Sequence, residues 1–291
     1  MKFVFYADRI KPFIEILKLK GSAVDVSVIL ATSAFVGEVD ARIVPAIISG
    51  ALMHSGSDIY NDIYDREIDG ICKPEAPIPS GRMSVKVAWA YLSLLTFTAL
   101  VVSLLLSKIL FLCYVIGILC GYVLYSHPNF RFKDKSVVAI AIIAFCFVLE
   151  SIGVWSIYSY ITGNTFIVAA YIFLLIFSLV FMKDFRDVRG DVNSLPLMLG
   201  VRRAAKVCCG LAFAPVIILV ILSIVYKSIY MLVTAVIFLF LIYPCVKILL
   251  FGDPVIQGDK LKDRMILSLS VPNIILFILT FRKKIAEGIS L

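Results

Sequence analysis

The sequence predicts an all-α integral membrane protein, a bundle of about nine transmembrane helices forming a single membrane domain over residues 1–291. Three observations predict it. First, 61% of the residues are hydrophobic and 16% charged, with a mean hydropathy of +1.01, far from the globular mix. Second, the apolar residues fall in runs that approach or exceed the roughly 20 residues a helix needs to cross a hydrocarbon core of about 30 Å. Third, Lys and Arg are distributed asymmetrically. With the N-terminus inside, 22 of the 28 fall on the inner side, which fixes orientation by the positive-inside rule.

The elements follow in order. Residues 1–21 read as an amphipathic N-terminal segment, with Arg9, Lys11, Lys18 and Lys20 set against Phe13, Ile16, Leu17 and Leu19; such a helix lies in the membrane interface. Nothing in it resembles a cleavable signal. The predicted spans are 22–37, 43–60, 87–106, 109–126, 137–159, 165–182, 205–226, 229–250 and 266–281. The first is the least hydrophobic and carries Asp25, and the fifth carries Glu150. Ionisable groups at such depth mark either recognition of a ligand or contact between helices. Ser151 and Gly153 beside Glu150 favour close helix approach.

The net charge of +8 is read as an orientation and anionic-lipid signal, because no nucleic-acid-binding module is visible. Seven cysteines are scattered, with Cys208 and Cys209 adjacent, and His54 and His127 are far apart. Neither a disulfide framework nor a zinc site is indicated. The sequence identifies no protein partner.

Two polar stretches interrupt the apolar runs. Residues 61–86 open with "NDIYDREIDG", in which Asp62, Asp65 and Asp69 follow the pattern D-x-x-D-x-x-x-D. Residues 184–203 open with "DFRDVRGD", in which Asp184, Asp187 and Asp191 repeat that spacing. Spacings of three and four place side chains on one helix face. One such triplet reads as solvated loop charge. Two, each at the inner end of a span and each followed by Pro, Gly and Arg, read as a site. Carboxylates so close repel one another unless a cation intervenes, and oxygen-only donors favour Mg²⁺ over zinc or copper. Magnesium completes its shell with water and phosphate oxygens, so the chemistry indicated is a magnesium-bridged diphosphate. Nearby Lys73, Arg82, Arg131 and Lys133 fit a phosphate clamp. Tyr125 could hydrogen-bond a phosphate oxygen.

"NDIYDREID" followed by "PIPSGR", with a second "DFRDVRGD", resembles the UbiA superfamily of intramembrane prenyltransferases. The wording of the first motif is most similar to the archaeal members that make digeranylgeranylglyceryl phosphate. The resemblance implies that Asn61 and Asp65 hold one Mg²⁺ and Asp187 and Asp191 another, with Asp62, Asp69 and Asp184 as further ligands or supporting groups. It implies catalytic roles for Asp65, Asp69, Asp187 and Asp191, and diphosphate contacts from Lys73, Arg82, Tyr125, Arg131 and Lys133. It also implies transfer of a polyprenyl group, geranylgeranyl above all, from its diphosphate to a lipid-soluble acceptor at the cytoplasmic face. Geranylgeranylglyceryl phosphate is the first acceptor to consider; an aromatic acceptor of quinone or chlorophyll-type biosynthesis is the alternative. One departure stands out. Many relatives read R-P-x-R-P where this chain reads Lys73-Pro74-Glu75-Ala76-Pro77, so no second arginine is available there. An acid-lined secondary transporter is the competing class, but it would place its ionisable groups near the bilayer midplane, whereas both triplets fall at one face.

Overall fold

The structure, a computed structural model, describes the backbone of residues 10–188 and 193–286, with the side chains of all of these except 187 and 283–286. Every predicted apolar run is helical. Seven helical stretches are long and apolar enough to cross a membrane: Leu19–Val36 (α1), Val85–Leu106 (α4), Ser136–Tyr158 (α6), Gly163–Arg186, Val201–Val225, Ile229–Phe251 (α12) and Gly258–Arg282. Two predicted spans do not qualify. Ile43–Tyr64 (α2) is long enough, but Ser49, His54, Ser55, Ser57, Asp58, Asn61 and Asp62 make it too polar. The other, Lys108–Leu124, is short, with an α-helix Lys108–Gly117 (α5) passing into a π-helix Ile118–Leu124. The polarity of α2 has a counterpart in its setting, since this helix borders both cavities described below.

Several boundaries move. The amphipathic N-terminal segment does not run unbroken to residue 21. Its described part is helical at 10–15, and the chain turns at Lys18, whose φ of 48° is left-handed, before α1 begins at Leu19. Its apolar stripe is also divided: Ile16 is buried, while Phe13, which meets Tyr91 edge-on at 5.3 Å, and Leu19 stay exposed. At the other end, the last helix begins at Gly258, two turns before the predicted span, because the charged stretch "GDKLKDR" is helical outside the apolar run.

The remaining elements are Arg66–Cys72 (α3), Gly163–Val180 (α7), Asp184–Asp187 (α8), Leu195–Leu199 (α9), Val201–Leu211 (α10), Ala214–Val225 (α11) and Gly258–Ala286 (α13). A 3₁₀ turn, Phe181–Lys183, joins α7 to α8. Helix α1 packs on α2, α6 and α13, so the first and last long helices close the bundle; α2 also packs on α4, and α6 on α5 and α7. Lipid tails are as apolar as leucine, so close packing and interhelical hydrogen bonds hold such a bundle. Thr32 of α1 and Ser151 of α6 share a hydrogen bond at 2.9 Å. Tyr171 of α7 donates to Asn273 of α13 at 3.0 Å, and Asn273 reaches Ser27 of α1 at 3.4 Å. Each such bond is worth about 1 kcal/mol. Gly153 lets α6 close on α5, since a Cβ there would stand 2.5 Å from Leu110 Cδ1. The outer surface is apolar, with Phe240 75% and Ile224 71% exposed, as a lipid-facing wall requires.

Candidate active site

The first acidic motif sits where α2 ends. Helical backbone stops at Tyr64, and Asp65, at φ −92° and ψ 2°, separates α2 from α3. The D-x-x-D-x-x-x-D spacing therefore straddles a bend, and each of its acids makes its closest ion pair with a different cation. Asp62, buried, receives Lys18 Nζ at 2.6 Å. Asp65 pairs with Lys133, and Arg131 Nη2 stands 3.4 Å from its other oxygen, Oδ1. Asp69 pairs with Lys73 at 3.2 Å. The expectation of one common face is corrected here: the bend at Asp65 turns Asp62 toward the N-terminal segment.

Asp65 and Asp69 look into a cavity of about 520 Å³. Of the predicted site residues, it gathers Asn61, Asp65, Asp69, Lys73, Tyr125, Arg131, Lys133 and Asp184. Asp184 is buried and accepts from Ser136 Oγ at 3.3 Å and from the backbone N–H of Leu195 at 3.4 Å. Asp62 and Arg82 are not on its wall. Arg82 turns the other way because Glu15 holds it at 2.6 Å, with Ser80 Oγ at 3.1 Å. It thus fastens the loop after α3 to the N-terminal segment. Gly81, at φ 73°, makes a tight turn in the loop after α3. The side chain of Asp187, and Asp191 as a whole, lie outside the described residues.

The charges on the wall perturb one another. Burial pulls the Lys133 ammonium below the ordinary lysine range, and the nearby Arg131 adds to this, while Asp65 offsets part of it. At Lys18 burial acts in the same direction, but Asp58, Asp62 and Asp69 outweigh it and hold the ammonium above its ordinary value. Asp65 Oδ1 is buried and accepts no hydrogen bond, with Arg131 Nη2 at 3.4 Å as its charged neighbour. The predicted ligands on this wall, Asn61, Asp65, Asp69 and Asp184, all offer oxygen, the set suited to a hard divalent ion; Cys72 is the one sulfur among the described residues of the wall. Among the described residues no three His, Cys, Asp or Glu side chains gather closely enough to hold a metal by themselves.

Sequence reasoning passes over Lys183, Arg186, Asp134, Ser136, Asn193 and Ser194, which also line this cavity. Lys183 carries a signal in its position immediately before the second triplet, although among so many inner-side cations it reads as one more orienting charge. Its Nζ lies 3.4 Å from Tyr125 Oη. Asn61, Tyr125 and Lys183 also line a second cavity of about 320 Å³, walled deeper in the bundle by Met53, Tyr114, Tyr122, Ile143 and Phe147. Asp25, His54, Asp58 and Glu150 border it as well. The two acids singled out within the spans are both buried, Asp25 at 7% and Glu150 at 5% exposure.

A charged outer cavity joined at a shared throat to a mainly apolar inner one can take a molecule with a polyanionic head and a hydrocarbon tail. Fold and site together define an intramembrane enzyme for amphipathic anionic substrates. The profile of the UbiA prenyltransferase family matches residues 26–258, and the chain belongs to that family: it is a membrane prenyltransferase. It is similar to a digeranylgeranylglyceryl phosphate synthase of Sulfolobus acidocaldarius, 30% identical over 69% of this chain and 75% of that one. A second protein of that name, from Sulfurisphaera tokodaii, is 28% identical over 66% of this chain and 70% of its own length. A UbiA homologue from Archaeoglobus fulgidus solved with GPP and Mg²⁺ superposes with a TM-score of 0.71 at 18% identity, covering 93% of this chain and 98% of that one; that likeness bears on the fold.

Proposed function

We propose that this chain transfers a geranylgeranyl group from its diphosphate to the free hydroxyl of geranylgeranylglyceryl phosphate, forming an ether lipid and releasing diphosphate. The observation that carries the reading is the pairing of cavities: carboxylates and cations in the outer one, apolar walls in the inner one, and Asn61, Tyr125 and Lys183 common to both. The names and the bound GPP and Mg²⁺ of the relatives agree with it. In this reading Asn61, Asp65, Asp69 and Asp184, with Asp187 and Asp191 of the second motif, hold Mg²⁺. The bound ion supplies charge neutralisation to the departing diphosphate.

The chain's own residues do the rest. Lys133 and Arg131 now face Asp65, and Lys73 faces Asp69. When those carboxylates turn to a cation, their ammonium and guanidinium partners become available to phosphate oxygens and stabilise charge on the leaving group. The inner cavity receives the prenyl chain and keeps water from an electron-poor allylic carbon. In this reading the single membrane domain faces the cytoplasm with this mouth, the orientation that the Lys and Arg asymmetry supports.

The test is transfer from labelled geranylgeranyl diphosphate to geranylgeranylglyceryl phosphate or to 4-hydroxybenzoate, offered separately with and without Mg²⁺. Magnesium-dependent product with the glyceryl phosphate supports the reading. Product with the benzoate alone moves the chain to aromatic-acceptor chemistry.

A further inference from the structure

The inner cavity holds a group of ionisable side chains for which the metal and diphosphate account has no use: Asp25, His54, Asp58 and Glu150. Their depths differ. The residues common to both cavities, Asn61 among them, set the throat. Along α2, at about 1.5 Å per residue, Asp58 lies about 4–5 Å inside the throat, His54 about 10 Å and Gly50 about 16 Å. Glu150 is at the level of Gly50, since a Cβ on that glycine would stand 2.5 Å from Glu150 Oε1. An extended isoprene unit spans about 4–5 Å by ordinary bond geometry. A donor with its phosphates in the outer cavity therefore presents C1 at the throat, and its third or fourth isoprene unit reaches Glu150. Asp58 is the inner-cavity carboxylate within reach of the reacting carbon.

Its surroundings are built. His54 Nδ1 lies 2.7 Å from Asp25 Oδ2, and Nε2 lies 3.7 Å from Asp58 Oδ2. Asp25 and His54 are largely buried, whereas the Asp58 side chain keeps 32% exposure. Lys18 and Asp62 are its other charged neighbours. Glu150 Oε2 is buried without a hydrogen-bond partner on the same cavity. Buried polar atoms are normally satisfied, so an orphan of this kind points to an occupant.

We infer that Asp58 is the proton acceptor of the transfer, with His54 and Asp25 as positioning residues; this rests on the transferase reading above. As the acceptor oxygen forms its bond to C1, the bond from C1 to the diphosphate oxygen breaks, and its electron pair leaves with the diphosphate. The proton on the acceptor oxygen passes to Asp58. An oxygen carrying three bonds is strongly acidic, so a carboxylate within hydrogen-bond reach can take its proton. His54, held by Asp25, fixes the rotamer that keeps one Asp58 oxygen toward the throat.

The test uses the full chain in lipid nanodiscs, with Asp58→Asn, Asp58→Glu and His54→Gln variants. Donor affinity is read with magnesium and the slow-reacting geranylgeranyl thiolodiphosphate. Asp58→Asn is expected to lower kcat by about 10²–10⁴-fold with donor affinity within twofold, and to release diphosphate in excess of ether product as water captures the prenyl group. Asp58→Glu is expected to recover at least tenfold of that loss. His54→Gln should lower kcat without moving the donor KM, and should add nothing to Asp58→Asn. Transfer by Asp58→Asn within threefold of the parent rate overturns the inference, as does loss of donor binding in parallel with turnover. If Asp58→Asn does not fold, an Asp58→Glu variant with reduced but measurable turnover and normal donor affinity supports the assignment, one without activity overturns it, and an unchanged kcat in His54→Gln overturns the positioning role. A parent chain that transfers from no prenyl diphosphate refutes the transferase reading itself, and the inference with it.

Discussion

Replacing Asp65 by Asn separates the two things that this carboxylate does. Its side chain is 16% exposed and faces Lys133, 11% exposed, and Arg131, 26% exposed. Without its charge, Arg131 keeps Asp134 at 2.7 Å, while Lys133 is left with only the weaker attraction of Asp134. Breaking a buried pair by removing one partner costs about 3–5 kcal/mol. Lys133 limits that cost, because burial already draws its pKa down and a lysine that sheds its proton leaves no unpaired charge behind. The loss expected in denaturant unfolding is therefore about 2–3 kcal/mol, at or below the lower end of that range. Turnover suffers separately, because the variant removes a proposed magnesium ligand. Loss of one preorganised electrostatic contact lowers kcat by about 10²–10³-fold. The double variant Asp65→Asn/Lys133→Met distinguishes the two effects: stability should return to within about 1 kcal/mol of the parent, since both charges are gone, while transfer of labelled geranylgeranyl stays lost. An Asp65→Asn protein keeping more than a third of parental activity would refute the reasoning, as would a double variant that regains turnover.

Three further outcomes are expected. Asp62→Asn should cost about 1–2 kcal/mol, discounted because Lys18 is 41% exposed, and should leave the magnesium concentration for half-maximal rate unchanged; a shifted requirement would return Asp62 to the ligand set. Arg82→Ala should leave donor affinity within twofold, because Arg82 binds Glu15 and not the cavity, and should cost less than about 1 kcal/mol for a half-exposed pair. Lys133 has a pKa lowered by burial, so between its folded and unfolded values the folded protein binds fewer protons and this group's contribution to stability rises with pH. Its charge on the phosphate clamp is lost over the same range, so donor affinity should fall at lower pH than for an ordinary lysine. Lys133→Arg, always charged, should remove that alkaline limb; an unchanged limb assigns it to another group.

Much of the architecture is legible in the chain because its causes are local. Each apolar run becomes a helix, since lipid leaves the backbone no other economical partner. The charged cavity is legible in the D-x-x-D-x-x-x-D motif and in Lys73, Arg131 and Lys133. What escapes is set by contacts between distant segments. Helical spacing puts Asp62 and Asp65 on one face, but the bend at Asp65 and the approach of Lys18, 44 residues away in sequence, part them. Arg82 belongs with Glu15 through a similar long-range contact. The pairing of His54 with Asp25 joins two helices, and no periodicity within either announces it. The polarity of α2 is visible residue by residue, yet it takes on the meaning of a cavity-lining helix only because both cavities share its wall.

The most direct test of the central claim is a structure of the protein with Mn²⁺ in place of Mg²⁺ and geranylgeranyl thiolodiphosphate, read by anomalous diffraction. The account predicts manganese signal in the outer cavity against Asn61 and Asp65, the diphosphate beside Lys133 and Arg131, and the prenyl chain entering the inner cavity past Tyr125. Manganese bound elsewhere, or a donor seated with no metal between it and Asp65, would contradict it.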